Sequence, residues 1–174
     1  LAAQLCVLDV ESGKVLADVA LGHTSWLDPT PIDSGTVFNI MELSKLYLAL
    51  TVLRLVDEGK LSLNTVLTNY DSEAVTVAHV LAHTSGIMHM IPPGAETFRD
   101  LIDLQKMIER ISTTKPLLPP GTRQQYHHTT FGVLLARACQ LAGTDVEAAW
   151  SSMVSSALGA QRGQAMSLKE CFNE

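Results

Sequence analysis

The 174-residue sequence predicts an α+β fold, an N-terminal β-hairpin followed by about five helices, with too few strands to complete a sheet within this chain. Three observations lead there. Two short apolar, partly β-branched runs, Gln4–Val10 and Val15–Leu21, flank a Glu-Ser-Gly-Lys turn. Apolar residues then recur at helical spacing through most of the remaining chain. Hydrophobic residues make up 47% and charged residues only 17%, a balance that excludes intrinsic disorder, a coiled coil and a basic nucleic-acid arm.

Taken in order, Gly13 supplies the positive φ that the hairpin turn wants. Residues 23–36, rich in Pro, Asp, Ser and Gly, read as a loop. From Met41 to Lys60, Leu43, Leu46, Tyr47, Leu50, Leu53 and Val56 mark a helix that Gly59 ends. Thr76 caps a short helix running to His83 and closing at Gly86. Thr97 caps another, predicted to run unbroken to Ile111 with Phe98, Leu101, Leu104, Met107, Ile108 and Ile111 on one face. Charged residues on its other faces make it an ordinary amphipathic helix. Residues 116–121 (PLLPPG) break the pattern, and Thr130–Leu141 and Asp145–Leu158 are two more helices, each followed by a glycine. The organisation expected is one partial domain: 1–61 hairpin and first core helix, 62–160 helical lobe, 161–174 irregular tail.

The net charge is −6 and uneven. Residues 1–87 carry 4 Lys/Arg against 10 Asp/Glu, and residues 88–174 carry 8 against 8. Neither half offers a phosphate-backbone footprint, so no nucleic-acid partner is expected. Cys6, Cys139 and Cys171 are odd in number and far apart, which reads as free or buried thiols, not a disulfide framework or zinc site. The most apolar stretch, 46–53, meets Arg54 long before the roughly 20 residues of a membrane span. His79 and His83 stand at i, i+4 and His127 and His128 are adjacent, but no carboxylate pattern completes a metal site; no cofactor is expected. The latter pair reads as a polar loop pair titrating near neutrality.

Three segments in order, Val37–Leu61, His79–Ile87 (HVLAHTSGI) and Pro119–Ala142, resemble the serine beta-lactamase-like family. That group includes class C beta-lactamases, DD-peptidases, esterases and mitochondrial beta-lactamase-like proteins. The resemblance covers about the first half of such a domain. It implies an antiparallel sheet against helices plus a helical lobe, and a serine at the head of a helix with a lysine one turn later. A serine hydroxyl needs that base and a helix N-terminus to become a nucleophile.

Here Lys45 matches the motif lysine, but Glu42 stands where the serine is expected and Met41 replaces the small residue before it. Tyr126 matches the motif tyrosine, while His128 occupies the asparagine position. No Lys-Thr-Gly or His-x-Gly follows Gly121. A carboxylate at position 42 would form a mixed anhydride in place of an acyl ester, so no functional catalytic residue is expected and Glu42, Lys45, Tyr126 and His128 read as vestigial. Glu42 and Lys45 are expected to form an ion pair. Ser44 points to another helix face, and Ser85 reads as a helix-end turn residue before it reads as a substitute nucleophile.

The leading expectation is therefore a non-catalytic beta-lactamase-like pseudoenzyme, a structural or interaction subunit of a larger assembly, with protein partners covering the open hairpin edge at 4–21. A serine hydrolase with an unusual site, and a small-ligand-binding module using the residual pocket, are the alternatives. The compartment is not written in the residues. A mitochondrial or other organellar assembly follows only by analogy with the family's eukaryotic members.

Overall fold

A computed structural model describes residues 1–27, 29–89, 91, 93–94 and 96–158. The expected irregular tail at 161–174, with Cys171, and the glycine at 159 lie outside the described residues. The described residues form two compact units, residues 1–40 and the residues from 41 on.

The first unit is the predicted hairpin and its following loop. Strands β1 (Ala2–Leu8) and β2 (Val15–Gly22) pair antiparallel, with Ala2 opposite Gly22 and Cys6 opposite Asp18. The turn closes as the sequence suggests: Gly13 takes φ +68° and donates to the Asp9 carbonyl at 2.8 Å, while the Asp9 side chain accepts from Ser12. Every side chain of the two strands is exposed or half-buried. Among the described residues of 1–40, only Ile32 is buried. Two strands without a covered face are marginal in water.

The second unit holds the core, and it is built around one helix. A 3₁₀ turn (Met41–Leu43) leads into α1 (Ser44–Asp57); α5 (Thr130–Leu141) packs against α1, α2 (Val77–Leu81), α4 (Leu104–Ser112) and α6 (Val146–Leu158). Its central place explains its composition. Eight of its twelve residues are buried, including Leu134, Leu135, Ala138 and Cys139, a near-continuous apolar run as an all-round-buried helix requires. Burial raises the Cys139 thiol to about 11, so it behaves as a small apolar core residue, while Cys6 is exposed. Val52, Leu55, Val75, Val77, Val80, Ile87, Met107, Ile108 and Ile111 complete the core. Tyr47 on α1 meets Trp150 on α6 edge to face, ring centroids 5.3 Å apart.

Two expectations need correction. The sequence placed strands only at the start, yet β3 (Val66–Tyr70) and β4 (Glu73–Thr76) form a second antiparallel hairpin. Its two-residue turn, Asp71–Ser72, has both φ values positive, +46° and +73°, the geometry of a primed hairpin turn. Burial of Leu67, Thr68 and Val75 and a 2.9 Å bond from Thr68 Oγ1 to the Ser112 carbonyl hold it against α4. The helix predicted as unbroken from Thr97 to Ile111 is two: α3 (Phe98–Ile102) and α4, so the described residues carry six α-helices. Asp103 leaves the helical region at ψ +89° and caps α4 by accepting from the Lys106 N–H at 3.1 Å. Aspartate competes with the helix for that backbone donor, and here it wins. Among the described residues no helix is long and apolar enough to cross a membrane.

Candidate active site

The four motif positions converge because two loops are laced together by backbone hydrogen bonds. Along the segment that follows α2, the Gly86 carbonyl accepts from Leu117 N (2.9 Å), Thr84 O from Gly121 N (2.8 Å) and His83 O from Gln125 N (2.8 Å). Gly86 is required at this crossing. It has φ +75°, and a Cβ there would lie 2.0 Å from the Leu118 carbonyl oxygen. The lacing carries Tyr126 to the head of α1, where Glu42 in the 3₁₀ turn and Lys45 in the first helical turn stand three residues apart. Met41, just before them, has φ +48°, a left-handed conformation that costs a side-chain-bearing residue about 1–2 kcal/mol.

Glu42, Lys45 and Tyr126 close a hydrogen-bonded triangle. The Lys45 ammonium donates to Glu42 Oε2 and, at 2.7 Å, to the Tyr126 hydroxyl, which in turn donates to the same Glu42 oxygen. Lys45 Nζ also lies 4.2 Å from the Tyr126 ring centroid, within cation–π range. The burial is lopsided: the Lys45 side chain is 14% exposed and that of Glu42 59%. The bond from Lys45, then that from Tyr126, hold the Glu42 carboxyl below its ordinary value. His128 is exposed and stands edge-on to Tyr126, centroids 4.8 Å apart. All four positions picked from sequence are thus brought together, and the expected Glu42–Lys45 ion pair forms.

A second cluster lies directly behind this one. Ser85 Oγ and His127 Nε2 are 2.5 Å apart, and both residues are completely buried. His127 Nδ1 bonds the Gln125 carbonyl, which fixes the tautomer: Nδ1 donates and Nε2 accepts from the serine hydroxyl. Burial, above all, lowers the His127 pKa. His83 joins the cluster, accepting from His127 N at 3.2 Å and stacking on Phe131 at 4.7 Å, and burial lowers its pKa as well. His127 is therefore not the loop residue titrating near neutrality that the sequence suggested; it is a neutral core histidine. This Ser–His pair was missed because 42 residues separate its members and no periodicity or motif spacing links them. His79 has a local task, accepting from Thr76 N at 3.3 Å in the capping box of α2. Ser44 is the first residue of α1 and exposed.

The arrangement is similar to known proteins in both sequence and fold. The family model described as Beta-lactamase matches residues 3–159. Esterase EstB of Burkholderia gladioli is 26% identical over 91% of this chain and 44% of its own length. A family VIII carboxylesterase superposes with a TM-score of 0.76 at 25% identity, over 92% of this chain and 45% of that one. A class C beta-lactamase in complex with cefoxitin gives 0.72 at 21% identity, over 92% and 45%; at that identity the likeness is one of fold. The chain spans less than half the length of these relatives. With the family model matching most of its residues, the chain belongs to the Beta-lactamase family, on a serine-hydrolase fold.

Proposed function

We propose that this chain is a non-catalytic member of its family, a beta-lactamase-like domain acting as a structural or interaction subunit of a larger assembly. The observation that carries the proposal is Glu42. Acyl transfer on this fold needs an oxygen nucleophile that leaves a hydrolysable ester and a neighbouring group that takes its proton. Glu42 offers a carboxylate whose acyl adduct is an anhydride. It also occupies the groups that would serve a serine: Lys45, as an ammonium donating to Glu42 and Tyr126, has no lone pair for a proton. The hairpin supports the interaction half of the reading. Leu5, Leu8, Val15, Leu16 and Leu21 are each more than half exposed, more apolar surface than a two-stranded ribbon normally leaves in water.

A hydrolase reading has one specific observation in its favour besides the esterase relative: Ser85, His127 and the Gln125 carbonyl are in the order nucleophile, base, orienting group. Complete burial of both side chains counts against it. One experiment separates the readings. The chain is incubated with a fluorophosphonate and with a fluorescent penicillin, and its intact mass is measured. No adduct is expected, whereas an adduct mapped to Ser85 or Ser44 replaces the non-catalytic reading with the hydrolase one. Light scattering on the purified chain tests the other half: association or a co-purifying protein is expected, and a well-dispersed, stable monomer contradicts it.

A further inference from the structure

Away from Glu42 and Tyr126, the end of α4 and the segments around it form an open pocket of about 520 Å³ lined by His89, Pro93, Arg110, Thr113, Thr114, Lys115, Pro116 and Leu117. Two of its lining side chains hold buried nitrogen atoms, His89 Nδ1 and Arg110 Nη1, with no hydrogen-bond partner among the described residues. Buried donors are nearly always paired, since leaving one unmade forfeits its hydration with nothing in return. The Arg110 guanidinium is also pre-positioned: Nη2 donates to Asp100 Oδ1 at 3.1 Å, which fixes the plane while Nη1 has no partner among the described residues. Lys115 brings a second cation, and among the described residues no carboxylate lies within ion-pair distance of it.

Asp100, the carboxylate paired with Arg110, stays ionised and offsets part of that guanidinium's charge, but its oxygens are already committed. Asp100 accepts from Thr97 N, the Thr97 hydroxyl and Arg110, and its carboxyl is held far below the ordinary range, first by those Thr97 bonds. The last carbonyls of α4 are capped: Arg110 O accepts from Thr113 N and both threonine hydroxyls, and Ile111 O from Thr114 N. The lining supplies the side chains of Arg110 and Lys115 and the His89 imidazole beside the apolar walls of Pro93, Pro116 and Leu117. The volume far exceeds that of a bare inorganic anion and lies in the range of small-molecule sites.

We propose that this cavity is a binding site for a small organic oxyanion, a carboxylate or phosphate monoester carrying an apolar body, with Arg110 and Lys115 on the anionic head and His89 beside it. The site is independent of Glu42 and of any catalysis, so its test does not depend on the function proposed above.

The probes are phenyl phosphate, benzoate and the neutral benzyl alcohol, titrated at constant ionic strength set with chloride. Binding is followed by calorimetry and by ¹H–¹⁵N shift changes. Either anion is expected to bind well above the alcohol, with shifts centred on His89, Arg110 and Lys115. A preference for phenyl phosphate assigns a phosphate headgroup, and a preference for benzoate a carboxylate. Lys115→Gln, an exposed position whose loss leaves the fold untouched, is expected to weaken binding about tenfold, the scale of a charge-assisted hydrogen bond. Arg110→Gln is expected to abolish it. Equal response to the alcohol, shifts centred on Lys45 and Tyr126, or unchanged affinity in Lys115→Gln would each overturn the assignment.

Discussion

On one side of the loop at 125–128, the Tyr126 hydroxyl meets Glu42 and Lys45 at the protein surface; on the other, His127 meets Ser85 with no solvent at all. The two clusters share one loop and similar chemistry, a few polar side chains joined by short hydrogen bonds. Their energetics differ because of water. A broken bond in the exposed triangle is replaced by one to solvent, so its net worth is small. A broken bond in the buried pair leaves the Ser85 hydroxyl proton or His127 Nε2 unmet away from water, at the desolvation penalty of that atom. That holds even though Ser85 Oγ still accepts from Ile87 N and His127 Nδ1 still bonds Gln125 O. The cluster that resembles an active site in composition is thus expected to contribute less to stability than the buried pair, although Ser85 and His127 also lie within the family-like segments.

The largest test of that contrast is His127→Ala. It removes a fully buried ring, leaves the Ser85 hydroxyl proton without its acceptor while Ser85 Oγ still accepts from Ile87 N, and deletes the donor to Gln125 O that helps hold the loop. A loss of about 2–4 kcal/mol is expected, from the unmet hydroxyl plus the cavity left behind. Urea unfolding reads it as a lower midpoint at unchanged slope. A loss below 1 kcal/mol would mean that the buried pair is not what anchors the loop.

Next in size is the response to pH. His127 and His83 both have folded pKa values lowered, chiefly by burial, from an unfolded value near 6.5. Below that value the unfolded chain binds protons the folded one refuses, so stability is full above about pH 6.5 and falls as pH drops through and below it. Glu42 acts in a lower window. Its depressed carboxyl contributes stability above the ordinary value of 4.5, lost as pH falls through the folded value. Thermal unfolding between pH 8 and pH 5 is therefore expected to show a decline that His127→Ala blunts and Glu42→Gln does not. The reverse pattern would place the pH-sensitive groups in the exposed triangle.

The split between the clusters also marks how far the sequence could be read. Glu42, Lys45, Tyr126 and His128 were legible because they sit at motif spacings along the chain, and the ion pair followed from one helical turn. The first hairpin was legible from Gly13 and the two apolar, partly β-branched runs on either side of it. Ser85–His127 was not, since it depends on how two loops cross at Gly86. The hairpin β3–β4 escaped for a different reason: its strands are only five and four residues long, and Asp-Ser is a weaker turn signal than a glycine pair. The break at Asp103 shows a local capping bond interrupting the apolar period: beyond it Met107, Ile108 and Ile111 are buried as the period required, but Leu104 beside the break is exposed.

The smallest expected effect is the most informative about the nucleophile position. Glu42→Gln keeps the shape of the side chain and an amide oxygen for the Tyr126 hydroxyl, but removes the charge facing Lys45. With the carboxylate side chain 59% exposed, the change in stability is expected to stay within about 1 kcal/mol. Combining it with Lys45→Gln in a double-mutant cycle isolates the pair, and the coupling is expected to be similarly small and to shrink in 1 M salt, where screening reaches about 3 Å. A coupling above about 2 kcal/mol that persists in salt would show that Glu42 is fastened into the fold as firmly as His127. Position 42 would then be held by the folding of this chain itself, and its departure from serine would be a structural commitment. A small coupling would show that the fold places no strong structural demand for a carboxylate at position 42, the outcome the proposed non-catalytic role expects.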